Sequence, residues 1–196
     1  MSIIPFLFLA MALGISMMVQ MRNCAEATPI PLSSGLLVSF TLSVVHAALF
    51  CLGMWLGNGL SFFDSEDPGA YAGANALVFL GMSLVVVVKQ ILPYMGSKQR
   101  GRTFDLNAGF GRVLLFTVAS GINGFLLGLG MGFVTMLGTH LHKAMWPVII
   151  FVFLFSYLGV MYGRQHVKLR PRRWMVLSGL LILAVAVFVV VAAFRS

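Results

Sequence analysis

Six long apolar runs separated by short polar stretches set the rhythm of this chain: approximately Ile3–Met21, Gly35–Gly57, Asn75–Tyr94, Val113–Leu137, Ala144–Gly163 and Trp174–Phe194. A bilayer core of about 30 Å is crossed by about 20 apolar residues in helical form, and each run approaches or exceeds that length. None alternates apolar and polar positions with the period of two that membrane-barrel strands of about 10 residues require. The pattern predicts an all-α fold, a six-helix transmembrane bundle over residues 1–196, with no stretch left over for a soluble domain. The first run has no basic leading segment and no small-residue cleavage site before Arg22, so it is expected to remain as a helix.

Composition agrees, at 60% hydrophobic and 9% charged residues, where soluble domains carry about 45–50% and about 25%. The net charge of +8 matters through its placement. Eleven basic residues fall on one side: Arg22, Lys89, Lys98, Arg100, Arg102, Arg112, Arg164, Lys168, Arg170, Arg172 and Arg173. The other side carries Lys143 and Arg195 with an acidic loop of Asp64, Glu66 and Asp67. Cytoplasmic loops are the basic ones. The expected placement is a bacterial inner membrane, multi-pass, with both termini outside the cytoplasm. Basic residues confined to short loops are a topology signal, so no nucleic-acid partner is expected; the partner is the lipid bilayer. Cys24 and Cys51 have no paired spacing and imply no disulfide framework.

The two halves resemble each other. The second run ends Leu52-Gly53-Met54-Trp55-Leu56-Gly57 and the fifth ends Leu158-Gly159-Val160-Met161-Tyr162-Gly163, both Leu-Gly-x-x-x-Gly. Gly14-Ile15-Ser16-Met17-Met18 in the first run corresponds to Ala119-Ser120-Gly121-Ile122-Asn123 in the fourth; the two offsets are 106 and 105 residues. Three helices per half place the halves in opposite orientations. The expectation is two inverted three-helix repeats, about 1–96 and 107–196, an architecture common in secondary transporters with a site near the midplane. Gly124, Gly128 and Gly132 add a stripe that lets helix backbones approach closely.

Polar side chains inside the runs are costly in lipid and are candidates for function. They are Ser16, Gln20, Ser39, Thr41, Ser43, His46, Ser83, Gln90, Thr117, Ser120, Asn123 and Ser156. Serine and threonine commonly bond back to their own helix, whereas Asn123 and His46 are expected to need partners across helices. The five acidic residues, Glu26, Asp64, Glu66, Asp67 and Asp105, all lie outside the deep part of any run. The expected partner of Arg22 is Glu26, provided the first helix continues to about Ala27. Methionines with Cys24, Cys51 and His46 offer soft ligands for an ion such as Cu(I), but adaptable packing is the ordinary use of Met. His140 and His142 are expected in a short outer loop after the fourth helix.

The segments Ala119-Ser120-Gly121-Ile122-Asn123-Gly124-Phe125-Leu126-Leu127-Gly128-Leu129-Gly130, Gly14-Ile15-Ser16-Met17-Met18 and Leu52–Gly57 carry a family likeness. The chain resembles, over its whole length, the manganese efflux pump family, six-helix exporters related to the lysine-exporter superfamily. That family shows Ala-Thr-Ser-Leu/Ile-Asp-Ala-x-Ala-Val-Gly at the first segment, x-x-Ser-Met-Asp-Ala at the second and Gly-Trp-x-x-Gly at the third. Its two intramembrane aspartates fall here on Met18 and Asn123, and its Glu or Gln early in helix two on His46. Its Gly-Gly pair falls on Leu84 and Val85, and the following acidic residue on Gln90. The resemblance implies the fold and a cargo of manganese or another divalent cation, with Asn123 and His46 as the remaining metal ligands. Ser16, Met18, Ser120 and Gln90 join them as candidates for the substrate path.

The resulting expectation is a secondary transporter resembling divalent-cation exporters, with its substrate altered and a small ion as partner. The alternative is a non-transporting scaffold of the same fold. The transporter predicts a midplane cavity lined by helices one, two and four; the scaffold predicts Met18, His46 and Asn123 packed or bonded with no cavity reaching them. No cofactor is implied, and the absence of a Gly-x-x-x-x-Gly-Lys segment points to an ion gradient for energy. One deep histidine and scattered serines define neither a nucleophile with its base nor an open metal site, so no enzymatic activity is expected.

Overall fold

The computed structural model describes residues 3–28, 31–60, 68–95, 110–134 and 137–195, with the side chains at 68–70, 110–112 and 137–142 outside that description. Six helices make up the architecture: α1 (Ile4–Ala27), α2 (Leu32–Leu60), α3 (Pro68–Ile91), α4 (Phe110–Val134), α5 (Leu137–Arg164) and α6 (Pro171–Ala193). All six are long and apolar enough to cross a bilayer, which makes this a multi-pass membrane protein. The expected acidic loop of Asp64, Glu66 and Asp67 lies outside the described residues, as do Lys98, Arg100, Arg102 and Asp105.

Helix ends differ from the apolar pattern for identifiable reasons. Helix α1 runs six residues past Met21, to Ala27, and there Arg22 pairs with Glu26 at 3.0 Å, one turn apart on one face. Thr28 leaves the helix in extended conformation (φ −136°, ψ 92°), as is usual for a residue that precedes proline in sequence. Helix α5 begins at Leu137, although Pro147 lies inside it. His140 and His142 therefore stand in its opening turns, not in a loop after the fourth helix as the pattern suggested. Proline is tolerated within membrane helices because neighbouring helices and local adjustment satisfy the freed carbonyl. At the other end of the bundle, α3 tightens into a 3-10 turn over Leu92–Tyr94 around Pro93, and α6 starts with Pro171 in its first position.

Helix α1 is the core of the bundle. Phe6, Leu9, Leu13, Met17 and Met21 are buried along it, and they meet Phe50 and Met54 of α2, Phe79 of α3, Leu127 and Met131 of α4 and residues of α5 and α6 in one continuous cluster. The hydrophobic residues left exposed, such as Leu84, Val85 and Val88 on α3, face outward as lipid contact requires. Helix α1 packs chiefly on α5 and then on α6; α4 packs chiefly on α2 and then on α3; α2 touches α5, and α3 touches α6. This neighbour pattern is unchanged when α1 is exchanged with α4, α2 with α5 and α3 with α6.

The two principal seams are built from glycine. A β-carbon on Gly53 or Gly57 of α2 would run into the carbonyls of Phe125 or Leu129 of α4, and one on Gly128 or Gly132 into those of Phe50 or Met54 of α2. Likewise a β-carbon on Gly159 or Gly163 of α5 would strike the carbonyls of Met18 or Arg22 of α1. Any side chain here would force the backbones apart, so close approach requires glycine. The register is informative. Gly53 and Gly159 are 106 residues apart, while their carbonyl partners Phe125 and Met18 are 107 apart. The position matching Asn123 by contact is thus Ser16, two residues from the Met18 that similarity of sequence suggested.

Candidate functional site

Most deep hydroxyls are accounted for within their own helices. Thr41 donates to Leu37, Ser43 to Phe40, Thr117 to Val113, Ser120 to Thr117 and Ser156 to Phe153, at 2.7–3.1 Å. These bonds remove the groups from competition for a ligand, as expected of Ser and Thr in an apolar helix.

His46 is wholly buried at the seam of α2 and α4. Its Nδ1 lies 2.8 Å from the Leu42 carbonyl one turn back, and the ring also engages the Ser120 backbone across the seam. A neutral imidazole donates from one nitrogen only, and with the proton on Nδ1 it goes to Leu42. Met18 is buried too, its backbone against Gly159. Neither residue lines the polar crevice of the bundle.

The polar crevice lies elsewhere. A space of about 80 Å³ opens between α1, α3, α4 and α6 at the basic end of the bundle, lined by Gln20, Lys89, Gln90, Pro93, Tyr94, Ala119, Ser120, Asn123 and Met175. The expected lining by helices one, two and four is corrected accordingly: α2 contributes nothing, and α3 and α6 replace it. The reason is the seam. Glycine brings α2 into backbone contact with α4, whereas the crevice is walled by the side chains of Gln90 on α3 and Met175 on α6.

Three carboxamides converge on this crevice. Asn123 sits at the middle of the span Val113–Val134, only 9% exposed, and its Oδ1 has no hydrogen-bond partner. Gln90, 4% exposed, leaves Nε2 unpaired while Oε1 lies 3.1 Å from Ser178 Oγ. Ser178 Oγ also donates to the Ala12 carbonyl at 2.8 Å. One hydroxyl proton serves only one acceptor. With that proton on Ala12, the amide of Gln90 turns its NH₂ toward Ser178, and its oxygen becomes the unpaired atom. Gln20, from α1, donates to Ser16 at 3.4 Å. Lys89 stands exposed on the crevice rim. An unpaired buried carboxamide atom costs about 1–3 kcal/mol, and two such atoms lie beside this one opening. Ser39 and Ser83 also hold unpaired hydroxyls, away from this opening.

Of the residues expected to carry function, the structure brings Asn123, Ser120 and Gln90 together, with Ser16 attached through Gln20. It leaves His46 and Met18 outside. No group of three or more His, Cys, Asp or Glu side chains suited to a metal occurs among the described residues. Ser178 was missed by the sequence reading. It is one serine in a strongly apolar helix, and only its position opposite Gln90 and Ala12 gives it a role. Tyr94 was seen as a helix end, and only the 3-10 turn carries it into the crevice wall.

No protein-family model matches the chain, and comparison with curated proteins and with solved structures likewise finds no match.

Proposed function

We propose that this protein is a secondary transporter that moves a small polar solute through the crevice between α1, α3, α4 and α6. The observation that carries this reading is a mid-membrane carboxamide, Asn123, with an unpaired buried oxygen at the inner end of an opening that begins at the basic face. A purely structural asparagine in lipid is expected to find an interhelical partner. The interchangeable neighbour pattern of the helices and the paired glycine seams support two inverted three-helix halves. The charge bias supports a basic end in the cytoplasm of a bacterial inner membrane, with both termini outside; on that reading the crevice opens toward the cytoplasm.

The lining supports one class of solute over another. Carboxamides, Ser120, the Tyr94 hydroxyl and Lys89 donate and accept hydrogen bonds but supply no carboxylate. A bare divalent cation there would be uncompensated in a low-dielectric site, at a cost of several kcal/mol, and Lys89 would repel it. A solute bearing hydroxyl, amide or carboxylate groups fits better than manganese, the cargo implied by the family resemblance.

A second reading has one specific observation behind it. His46 and Met18, two of the positions where that resemblance places ligands, are bonded or packed within the helix seams, as a non-transporting scaffold of the same fold would have them. The deciding experiment is counterflow in proteoliposomes of the full chain, with manganese, amino acids and small carboxylates as solutes, repeated with Asn123→Leu. Flux of an organic solute that is lost in the variant supports the proposal. Flux of manganese alone, lost in the variant, would keep transport but overturn the solute class. No flux of any solute would leave the scaffold.

A further inference from the structure

A second feature of the basic end is separate from the crevice. Helix α5 closes with the Val167 N–H on the Tyr162 carbonyl at 3.0 Å and the His166 N–H on the Gly163 carbonyl at 3.1 Å, His166 taking φ 49°. This paired bonding is a Schellman turn, with histidine at the left-handed position usually given to glycine. Arg22 Nη2 of α1 donates to the Val167 carbonyl at 3.2 Å and so ties the turn to the bundle core. The Leu169 N–H then donates to the Val167 carbonyl at 2.9 Å in a tight turn, and the chain enters α6 at Pro171 from an extended Arg170, with no side chain capping the helix.

The result is a pocket of about 460 Å³ with a charged and an apolar part. Lys168, Arg170 and Arg173 line it and are exposed; Leu169, with Trp174 and Leu177 along the first turns of α6, completes it. The only acidic side chain among the described residues is Glu26, and Arg22 already engages it. Three cations therefore gather without a counter-charge among the described residues, at the depth where a membrane span begins. Topological bias explains basic residues in this loop. It does not explain why they share a pocket with a tryptophan and a leucine that descend toward the apolar layer.

We propose that this pocket binds the headgroup phosphate of an anionic phospholipid, with an acyl chain lying along Trp174 and Leu177. Guanidinium groups match phosphate oxygens as paired donors. The uncapped start of α6 adds favourable partial positive charge, and tryptophan suits the boundary between headgroups and acyl chains. The assignment depends on the membrane-spanning fold and not on transport through the crevice.

The test is native mass spectrometry of the full chain in detergent, titrated separately with phosphatidylglycerol, phosphatidylcholine and inorganic phosphate. The expected result is selective retention of phosphatidylglycerol, weakened about five-fold by Arg173→Gln and more than about a hundred-fold by the triple change Lys168→Gln, Arg170→Gln and Arg173→Gln. Arg164→Gln, a basic residue nearby that does not line the pocket, is expected to leave retention unchanged. The single variant keeps the test decisive should the triple variant fail to fold. Equal retention of the two lipids, an unaffected Arg173→Gln, an equal loss in Arg164→Gln, or displacement of the lipid by inorganic phosphate would each overturn the proposal.

Discussion

Helix α4 shows two contrasting surfaces within a few residues of each other. Toward α2 it presents Gly121, Gly124, Gly128 and Gly132, and the backbones touch. Toward α1, α3 and α6 it presents Ser120 and Asn123, and a crevice opens. Both surfaces meet the same absence of water in different ways. Where side chains vanish, main chains pack and polar groups such as His46 are enclosed with carbonyls to bond. Where side chains lengthen, helices stand apart, and carboxamides at the gap are left incompletely bonded. The seam thus fixes the position of the helices, and the crevice is the space this fixed arrangement leaves open.

The contrast can be broken most forcefully at the seam. Gly128→Val sets a branched side chain against the Phe50 carbonyl, which belongs to backbone and cannot rotate away. It is expected to destabilise by more than about 3 kcal/mol, the upper part of the usual overpacking range, and to abolish a monodisperse elution profile in detergent. Gly81→Val, with nothing within 4 Å of its β-carbon, is the control and is expected to leave thermal unfolding within about 1 kcal/mol of wild type. Equal damage from both would mean that close contact at the seam does not govern the response.

At the crevice the sign reverses. Asn123→Leu removes an unpaired buried oxygen and is expected to raise stability by about 1 kcal/mol while abolishing solute flux. A loss of stability in thermal unfolding would show that Asn123 is bonded within the fold after all. Ser178→Ala tests the wall behind it. Losing the bonds to Ala12 and Gln90 is expected to cost about 0.6–1.5 kcal/mol, the range for interhelical bonds in membranes, and to lower flux in part by freeing Gln90. Unchanged flux would separate Gln90 from the solute path. Smallest of all is Glu26→Gln. Its carboxylate is 40% exposed on the side-chain scale and meets Arg22 at 3.0 Å, a pair expected to contribute about 0.3–0.5 kcal/mol and to fade with added salt. Salt-independent destabilisation would assign Glu26 a role beyond that pair.

The sequence made some parts of this site legible and concealed others. Asn123 stood out because a carboxamide in an apolar run has few ways of being satisfied by its own helix, whereas Gln90 became a candidate through the family resemblance. His46 stood out equally, but its ring reaches back to Leu42 and across to Ser120, so the same polarity serves the seam. The Leu-Gly-x-x-x-Gly ends of the second and fifth runs were visible as a repeated pattern, and both proved to be seam residues. Their partners were not visible, because a carbonyl is common to every residue type. Hence the 105-residue offset aligned Met18 with Asn123, where the 107-residue spacing of the seam carbonyls Met18 and Phe125 would align Ser16 with it.

By itself the sequence determined the number of helices, their approximate limits and the gathering of positive charge at one end. These follow from local chemistry: an apolar run of sufficient length must satisfy its backbone as a helix in lipid, whatever lies beside it. Tertiary structure alone decided which helices touch, that α2 is excluded from the crevice, that Ser178 holds Gln90, and that Lys168, Arg170, Arg173 and Trp174 share one pocket. Those outcomes depend on the distance between helix axes. That distance is set by pairs of residues far apart in the chain, as Gly53 is from Phe125, and no single segment carries it.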